Sequence, residues 1–306
     1  MTQWLLPLLG STDLVIIQGD TSSALGGALA AELAGVPVGH VEAGLRSHDR
    51  RRPWPEEEFR VAIDGRADLL FAPSELSVAN LRRERVRGRI FLTGNTGIDA
   101  ALRLAPPVLP NRRKDGPPRL LVTCHRRENW GEGLASIAAA LRKLARENVA
   151  TVDLVLHPNP SVAAQMRLLL GSEPGVRLHA PCSHSDLVGR MLESDLVLSD
   201  SGGIQEEAAA LGIPVLVLRE RTERPEAIAT GHLTLAGLNP DGIVEAAQRI
   251  LSRDASHLSR CPYGDGNAAS RIAAIIADWL TARRLNTIEY AQPDPGPAFE
   301  DRRLGT

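Results

Sequence analysis

Acidic residues follow two short apolar runs in the first third of the chain, and a third acid opens a helical pattern. Asp20 ends the run Val15–Ile17, Glu42 ends the run Val38–Val41, and Glu56 begins the helix. Because the carboxyl ends of adjacent parallel strands meet at one edge of a sheet, Asp20 and Glu42 are expected to lie close together. Three acids that converge on one cleft raise the pKa of at least one carboxyl group, which acid–base catalysis requires.

Helix position offers a simpler explanation for part of this acidity. Carboxylates are favoured in the first turn of a helix, where they interact with the helix dipole. Glu56, Glu57 and Glu58 all occupy such positions. We prefer this explanation for Glu57 and Glu58, and the catalytic interpretation for Glu56.

A glycine loop in the second half of the chain, Asp200–Gly203, lies between an apolar run and a helical pattern. Glycines let a ligand approach the backbone, and the free N–H groups at a helix start attract phosphate. Ser201 could equally be an ordinary N-cap residue. Glu206 and Glu207 follow in the first turns and favour the binding interpretation, because Glu207 could reach a ribose diol.

Basic residues near other strand ends could complete a phosphate site. Arg219 and Arg224 follow the next apolar run, where guanidinium groups could pair with a diphosphate. His125 comes directly after the run Arg119–Cys124 and is followed by two arginines, so it is a candidate phosphate ligand or proton carrier. Taken singly, each arginine would more often be a solvated surface residue, and a lone histidine would more often be structural.

The elements that must position these residues alternate between strand and helix, as in parallel sheets that are covered on both faces. The strands are predicted at Asp13–Gln18, Val36–Val41, Asp68–Ala72, Arg89–Thr93, Arg119–Cys124, Val152–His157, Gly175–Leu178, Leu196–Ser199 and Pro214–Leu218. The helices are predicted at Ser22–Ala34, Glu56–Gly65, Ser74–Arg85, Leu134–Arg146, Ser161–Leu170, Ser185–Leu192, Gly203–Ala210, Asp241–Arg253 and Ala268–Arg284.

The same pattern divides the chain into two α/β domains. A Pro- and Arg-rich, turn-prone segment at 106–118 is predicted to link a first domain, 1–105, to a second, 119–265. A last helix is predicted within 266–286, and the Pro-rich, charged tail at 287–306 is expected to be disordered.

Composition excludes several classes of function. Of the 306 residues, 43% are hydrophobic, which is enough for buried cores, and the net charge of −2 gives no basis for nucleic-acid binding. No apolar run is long enough to span a membrane, and no signal peptide is indicated. The three scattered cysteines favour reduced thiols in the cytoplasm rather than a disulfide frame or a zinc site.

Taken together, the motifs resemble those of the non-hydrolysing UDP-N-acetylglucosamine 2-epimerase family. They occur in the family's order and cover roughly residues 10–282. The matching segments are Gly19-Asp-Thr21, Pro37-Val-Gly-His-Val-Glu-Ala-Gly-Leu-Arg46, Pro53-Trp-Pro-Glu-Glu57, Thr93-Gly-Asn-Thr96, His125-Arg-Arg-Glu-Asn129, Asp200–Glu207, Thr222-Glu-Arg-Pro-Glu226 and Pro262-Tyr-Gly-Asp-Gly266.

The resemblance implies two Rossmann-like parallel-sheet domains in a glycosyltransferase-B-like arrangement, with the last helix crossing back to the first domain. It implies reversible conversion of UDP-GlcNAc to UDP-ManNAc through elimination of UDP and a 2-acetamidoglucal intermediate, in a homodimer and without a metal or redox cofactor. The implied catalytic residues are Asp20, Glu42, Glu56, Arg60 and His125, and the implied substrate-binding residues are His125, Ser201, Gly202, Gly203, Glu207 and Arg224.

The chain also departs from the family. The family begins with a strand and a loop that bears an arginine and a lysine, and a first portion on the order of 70 residues is expected to be absent here. The apolar run Val15–Ile17 would then form an exposed sheet edge, which a partner chain could cover. The alternatives are therefore a truncated, inactive nucleotide-sugar-binding homologue, one half of a split enzyme whose other chain supplies the absent portion, and a hydrolysing epimerase or a glycosyltransferase on the same fold.

Overall fold

The protein is described by a computed structural model that covers residues 2–50, 53–106, 116–253 and 261–291. Residues 107–115 of the predicted linker and 292–306 of the predicted tail lie outside this range. The chain up to Ala269 forms one compact unit that contains two parallel sheets, and the remainder forms a second unit. The predicted α/β class is therefore confirmed.

The first sheet has four parallel strands in the order β1-β2-β3-β4. The strands are β1 Val15–Gln18, β2 Val38–Val41, β3 Leu69–Ala72 and β4 Arg89–Leu92. The helices of this half are α1 Thr2–Leu5, α2 Ser22–Ala34, α3 Glu56–Asp64, α4 Glu75–Glu84 and α5 Thr96–Leu104, with a short 3-10 turn at Leu6–Leu8. The inner strands β2 and β3 are buried along their whole length, as expected for strands covered on both faces.

The second sheet has six parallel strands in the order β10-β9-β8-β5-β6-β7. The strands are β5 Arg119–Thr123, β6 Thr151–Val155, β7 Val176–His179, β8 Leu196–Ser199, β9 Val215–Val217 and β10 Leu233–Leu235. The helices are α6 Glu132–Arg146, α7 Pro160–Leu170, α8 His184–Leu192, α9 Gly202–Ala210, α10 Glu226–Ala229, α11 Pro240–Leu251 and α12 Ala268–Ala291, with a 3-10 turn at Arg127–Asn129.

Local sequence explains where the site-bearing helices begin and end. The Thr21 hydroxyl accepts a hydrogen bond from the Ala24 N–H, so α2 starts directly after Asp20, and Gly35 ends it in a left-handed conformation. The α12 helix extends past the predicted boundary at residue 286. Its predicted return to the first domain stays a prediction.

The α5 helix lies within the predicted first domain, yet it packs against the second sheet. Ile98 and Ala101 of α5 belong to the same apolar cluster as Val188 of α8 and Ala208 of α9. The two motifs that flank this region also touch, since the Asn95 N–H donates to the Tyr263 carbonyl at 2.8 Å. The predicted domain boundaries themselves remain a proposal.

Within the described residues, β1 lies at an edge of the first sheet and pairs only with β2. The side chain of Ile16 on this strand is 53% exposed. An unpaired strand edge with an exposed apolar side chain favours association with another polypeptide segment. No helix in the described ranges is long and apolar enough to cross a membrane.

Candidate active site

The structure brings the three predicted acids to one region at the carboxyl ends of the first sheet. Asp20 follows β1, Glu42 follows β2, and Glu56 is the first residue of α3. The Asp20 carboxylate lies 2.5 Å from a guanidinium nitrogen of Arg60, one turn further along α3. Asp20 is also close enough to Glu42 to disfavour a second negative charge there. The expected proximity of Asp20 and Glu42 is therefore observed.

Glu42 has the unusual backbone of the three acids. Its φ angle is 72°, in the left-handed region that residues other than glycine rarely adopt. Burial raises the pKa of its carboxyl group, Arg224 opposes that change, and Asp20 adds to it. Strained backbone and a raised carboxyl pKa are both features that cluster at functional sites.

Glu56 presents an oxygen that the protein does not use. Its Oε2 atom is buried, and no described residue donates a hydrogen bond to it. A buried carboxyl oxygen without a partner is costly unless a ligand or water satisfies it. The unsatisfied oxygen marks Glu56 as a candidate for a contact that the protein alone does not supply.

Glu57 does more than stabilise a helix start. Its buried carboxylate accepts hydrogen bonds from the backbone N–H groups of Ser47 at 3.0 Å and His48 at 3.1 Å, and from Arg60 at 3.2 Å. Glu57 thereby fixes the loop that follows Glu42, a role that our helix-start interpretation missed. Its i,i+3 spacing from Arg60 is the one sequence signal for this contact.

The glycine loop begins α9 as predicted, and its two glycines have different surroundings. A Cβ atom on Gly203 would meet only a Glu207 oxygen at 3.9 Å, so the space over this backbone is open. A Cβ atom on Gly202 would lie 2.5 Å from the Arg224 guanidinium. Ser201 stands at the N-cap position, but its side chain makes no capping hydrogen bond. The helix start therefore keeps unpaired N–H groups for an anion.

Arg224 connects the glycine loop to the acids. Its guanidinium group lies 2.5 Å from Glu206, 2.6 Å from Glu223 and 3.4 Å from Glu42. The Arg224 guanidinium also packs against Gly202. A diphosphate bound at the glycine loop would therefore lie next to Arg224, which pairs with Glu42. Arg224 is thus a direct contact between the two predicted halves of the site.

Glu223 is a buried hub that sequence reasoning did not identify. Its carboxylate contacts Arg219 at 2.9 Å and Arg126 at 3.3 Å, and lies 3.8 Å from Arg60, in addition to the Arg224 contact. Burial would raise the pKa of Glu223, but these arginines together hold it well below the usual range. Arg219 and Arg224 are close to Glu223 in sequence, but no local spacing predicts the contacts with Arg60 and Arg126, which come from two distant segments.

Glu206 shares Arg224 with Glu223 on the opposite side of the guanidinium. Its second oxygen accepts a 2.7 Å hydrogen bond from the Asn95 side chain. Burial raises the pKa of Glu206 to about 7; Arg224 opposes the change, and Glu42 and Glu223 reinforce it. Glu206 thus places a titratable group directly beneath the candidate site.

His125 is connected to the glycine loop through Asp200. The buried Asp200 carboxylate accepts hydrogen bonds from the N–H groups of His125 at 2.7 Å and Arg126 at 3.0 Å, and from Asn129 at 2.7 Å. The pKa of the His125 imidazole is lowered, chiefly by desolvation. A neutral imidazole can both donate and accept a hydrogen bond.

Glu207 lies one turn after the glycine loop, with its Oε2 atom 2.9 Å from Nε2 of His184. Burial raises the pKa of this carboxyl group, although the side chain stays partly accessible to solvent. The geometry is compatible with a hydrogen-bond acceptor for a ligand hydroxyl.

A cavity of about 270 Å³ lies beside Glu223 and its partner Arg219. It is lined by Ser47, Asn129, Leu238 and the segment Arg219–Glu223. In the described part of the chain, no cluster of three or more His, Cys, Asp or Glu side chains is arranged to bind a metal ion.

Comparison with known proteins identifies relatives over most of the chain. A family model described as UDP-N-acetylglucosamine 2-epimerase matches residues 10–277. A probable UDP-N-acetylglucosamine 2-epimerase of Ralstonia nicotianae is 42% identical over 285 residues, which cover 86% of this chain and 75% of the relative. The UDP-N-acetylglucosamine 2-epimerase of Escherichia coli K12 is also 42% identical, over 85% of this chain and 74% of the relative.

Solved structures of similar proteins also match this chain over most of its length. A co-structure of S. aureus MnaA with UDP superposes with a TM-score of 0.85 and 35% identity, covering 92% of this chain and 80% of that protein. The UDP-GlcNAc 2-epimerase of Neisseria meningitidis, bound to UDP-GlcNAc, gives a TM-score of 0.82 and 35% identity over 90% of this chain and 80% of that protein. The predicted two-sheet fold in a glycosyltransferase-B-like arrangement is therefore confirmed.

Proposed function

The chain belongs to the UDP-N-acetylglucosamine 2-epimerase family, and from that premise we propose that it interconverts UDP-GlcNAc and UDP-ManNAc without net hydrolysis. The observation that carries the proposal is the 3.4 Å contact between Arg224 and Glu42. It joins an acid edge to a phosphate loop, which is the arrangement that a reaction at C2 of a sugar diphosphate needs.

The proposed reaction is an elimination followed by an addition. A carboxylate removes the C2 proton, the C1–O bond breaks, and UDP leaves with the bonding electrons to give 2-acetamidoglucal. A proton then returns to C2 from the opposite face while UDP adds back to C1. Since the two proton transfers occur on opposite faces, the reaction needs at least two acid–base groups, and Asp20, Glu42 and Glu56 supply the candidates.

The environments of two of these acids differ in the way that such a division of roles requires. Arg60 contacts Asp20 at 2.5 Å and orients its carboxylate, whereas burial raises the pKa of Glu42. The raised pKa makes Glu42 the better candidate for the proton donor and leaves Asp20 as the candidate base, a division of roles known from other enzymes with two differing carboxyl groups. Arg60 would act by orienting Asp20.

The leaving group would be held by the second sheet. We assign the diphosphate to the side chain of Ser201, to the backbone of Gly202 and Gly203 and to Arg224, and the ribose to Glu207. His125, tethered to the same loop through Asp200, would donate to a phosphate oxygen or carry a proton. Charge that develops on the departing UDP would then be stabilised by fixed donors in a partly buried site.

The test is turnover of UDP-GlcNAc in deuterated water, followed by NMR of the sugar and by separation of nucleotides. We expect UDP-ManNAc that carries deuterium at C2, with deuterium also appearing in recovered UDP-GlcNAc. Glu58→Gln provides a matched control for Glu56→Gln, because Glu58 is an exposed acid on the same helix.

Three results would contradict the proposal in different ways. Epimerisation with full retention of the original C2 hydrogen would exclude the elimination route. Free ManNAc and UDP as the products would identify a hydrolysing epimerase. Binding of UDP without turnover would favour a nucleotide-sugar-binding protein or one half of a split enzyme.

Partners and compartment complete the proposal. The open edge of β1 supports association with a second polypeptide, either another copy in a homodimer or a separate chain. Cys124, Cys182 and Cys261 are all free, which supports a reducing compartment such as the cytoplasm.

A further inference from the structure

A buried ionic network lies beneath the acid edge of the first sheet. His40 on β2 and Asp64 at the end of α3 are both fully buried, with Nδ1 of His40 2.6 Å from Oδ1 of Asp64. Arg46 donates to Oδ2 of Asp64 at 2.7 Å and makes two further hydrogen bonds to Glu84. Neither His40 nor Asp64 is assigned a catalytic or binding role above.

The two side chains hold the backbone on either side of the acids. Nε2 of His40 lies 2.9 Å from the carbonyl oxygen of Gly19, the residue before Asp20. Oδ2 of Asp64 accepts a 3.1 Å hydrogen bond from the N–H of Gly44, two residues after Glu42. Asp64 also sits on α3, the helix that carries Glu56. One carboxylate therefore ties together all three elements that bear the predicted acids.

Hydrogen-bond chemistry defines how His40 does this. The Gly19 carbonyl can only accept, so Nε2 of His40 must carry a proton. The pKa of Asp64 is lowered: burial would raise it, but His40 and Arg46 more than offset that effect. Nδ1 of His40 faces the Asp64 carboxyl group, so the two ring nitrogens of His40 hold two separate hydrogen-bond acceptors.

We propose that His40 and Asp64 are positioning residues that hold Asp20 and Glu42 in their reactive geometry. The inference rests on the proposed function for what the two acids do, and on the hydrogen bonds alone for how they are held. Glu42 has most need of such support, because its left-handed backbone persists only where the surroundings enforce it.

The second sheet contains a natural control. Asp153 on β6 is also a buried carboxylate, with Nε2 of His179 at 2.6 Å and a guanidinium nitrogen of Arg177 at 2.7 Å. The His–Asp–Arg contacts match those around Asp64, but the charged partners of Asp153 are Arg119, Arg177 and His179, none of which we place in the candidate site.

Two substitutions of His40 separate its two hydrogen bonds. In His40→Asn, the side-chain amide nitrogen reaches the position of Nδ1 and keeps the hydrogen bond to Asp64. The hydrogen bond to the Gly19 carbonyl is lost. The amide nitrogen of His40→Gln reaches the position of Nε2 and keeps the bond to Gly19. Asp64→Asn removes the carboxylate, and Asp153→Asn is the matched control in the other sheet.

We expect His40→Asn and Asp64→Asn to lower kcat by ~10–100-fold, the scale of a misplacement of about 1 Å, with KM changed much less. His40→Gln should recover a substantial part of the loss. Asp153→Asn should lower the melting temperature and leave kcat unchanged. Calorimetry with UDP, which we assign to the second half of the site, checks that this half is folded in each variant, and thermal unfolding checks the rest of the protein.

Amide hydrogen exchange provides a readout that does not depend on turnover. His40→Asn should speed exchange in the peptides around Gly19–Asp20, and Asp64→Asn in those around Glu42–Ser47, while Asp153→Asn affects neither. If wild type shows no turnover, the proposed function fails and exchange alone decides this inference. Unchanged loop exchange, or equal kcat in the Asn and Gln variants of His40, would overturn it.

Discussion

The acid edge of the first sheet and the glycine loop of the second sheet meet at one site, but they hold their functional groups differently. At the acid edge, charged side chains act, and other charged side chains hold them. Asp20 is fixed by Arg60, and the loop after Glu42 is fixed by Glu57 and Asp64. Each contact depends on a specific side chain within hydrogen-bond distance.

At the glycine loop, the backbone itself provides the binding groups. The N–H groups at the start of α9 are placed by helix geometry, and Gly203 leaves the space above them open. Substitution of one supporting side chain cannot remove these donors. The comparison indicates that turnover should be fragile towards substitutions at the acid edge, whereas UDP affinity should depend on few side chains.

The largest effect should come from Glu42→Gln. Loss of an acid–base group lowers kcat by ~10²–10⁴-fold, and the isosteric amide leaves Arg224 and the glycine loop in place. UDP affinity should therefore change little. Steady-state kinetics and titration calorimetry measure the two quantities separately, with Glu58→Gln as an exposed acid control on α3.

A loss of UDP affinity as large as the loss of kcat in Glu42→Gln would break the comparison. It would mean that the 3.4 Å contact between Glu42 and Arg224 organises the phosphate site as well.

A smaller effect is expected for Glu207→Ala, and it should fall on UDP affinity rather than on kcat. Loss of a charge-assisted hydrogen bond to the ribose should weaken UDP binding by ~1.5–3 kcal/mol. The exposed Glu245 on α11 offers a matched acid for the control variant Glu245→Ala. Because His184 also contacts Glu207, His184→Gln should weaken binding less than Glu207→Ala. Equal losses would assign the effect to the His184–Glu207 pair rather than to the ribose.

The sequence predicted the parts of this molecule that depend on local pattern. The β-rich runs at Val36–Val41 and Asp68–Ala72 became β2 and β3 with ends displaced by at most two residues. Period and turn chemistry suffice for such elements. The four-residue α10 and the three-residue β10 were missed, because segments this short carry no measurable period, and the nine-residue α5 was missed as well.

The residues of the candidate site also differ in whether a local sequence pattern could predict them. Asp20, Glu42 and the glycine loop were predictable because each follows a strand at the edge where ligands bind. Glu223 and Asp64 were not, because Arg60 and Arg126, which contact Glu223, and His40 and Arg46, which contact Asp64, are distant in sequence and only the folded chain brings them together. Glu57 was misread for the same reason: its partners Ser47 and His48 lie in a loop whose path no local pattern specifies.

The last and smallest expected effect is on the pH dependence of the protein's stability, to which ionisation of Glu206 contributes. It tests how independent the two halves of the site are. Glu206 belongs to α9 but is paired with Arg224, which faces Glu42. Its pKa is raised from 4.5 to about 7, first by burial and further by Glu42 and Glu223, against the opposing effect of Arg224. Between these two values the folded protein holds a proton that the unfolded chain has lost, so wild-type stability should fall as pH rises through this range.

Glu206→Gln cannot ionise, and its melting temperature relative to wild type should therefore rise between pH 5 and about pH 7 and then level off. Thermal unfolding of both proteins across this range measures the difference. A difference that stays flat would mean that Arg224 keeps Glu206 ionised throughout this pH range.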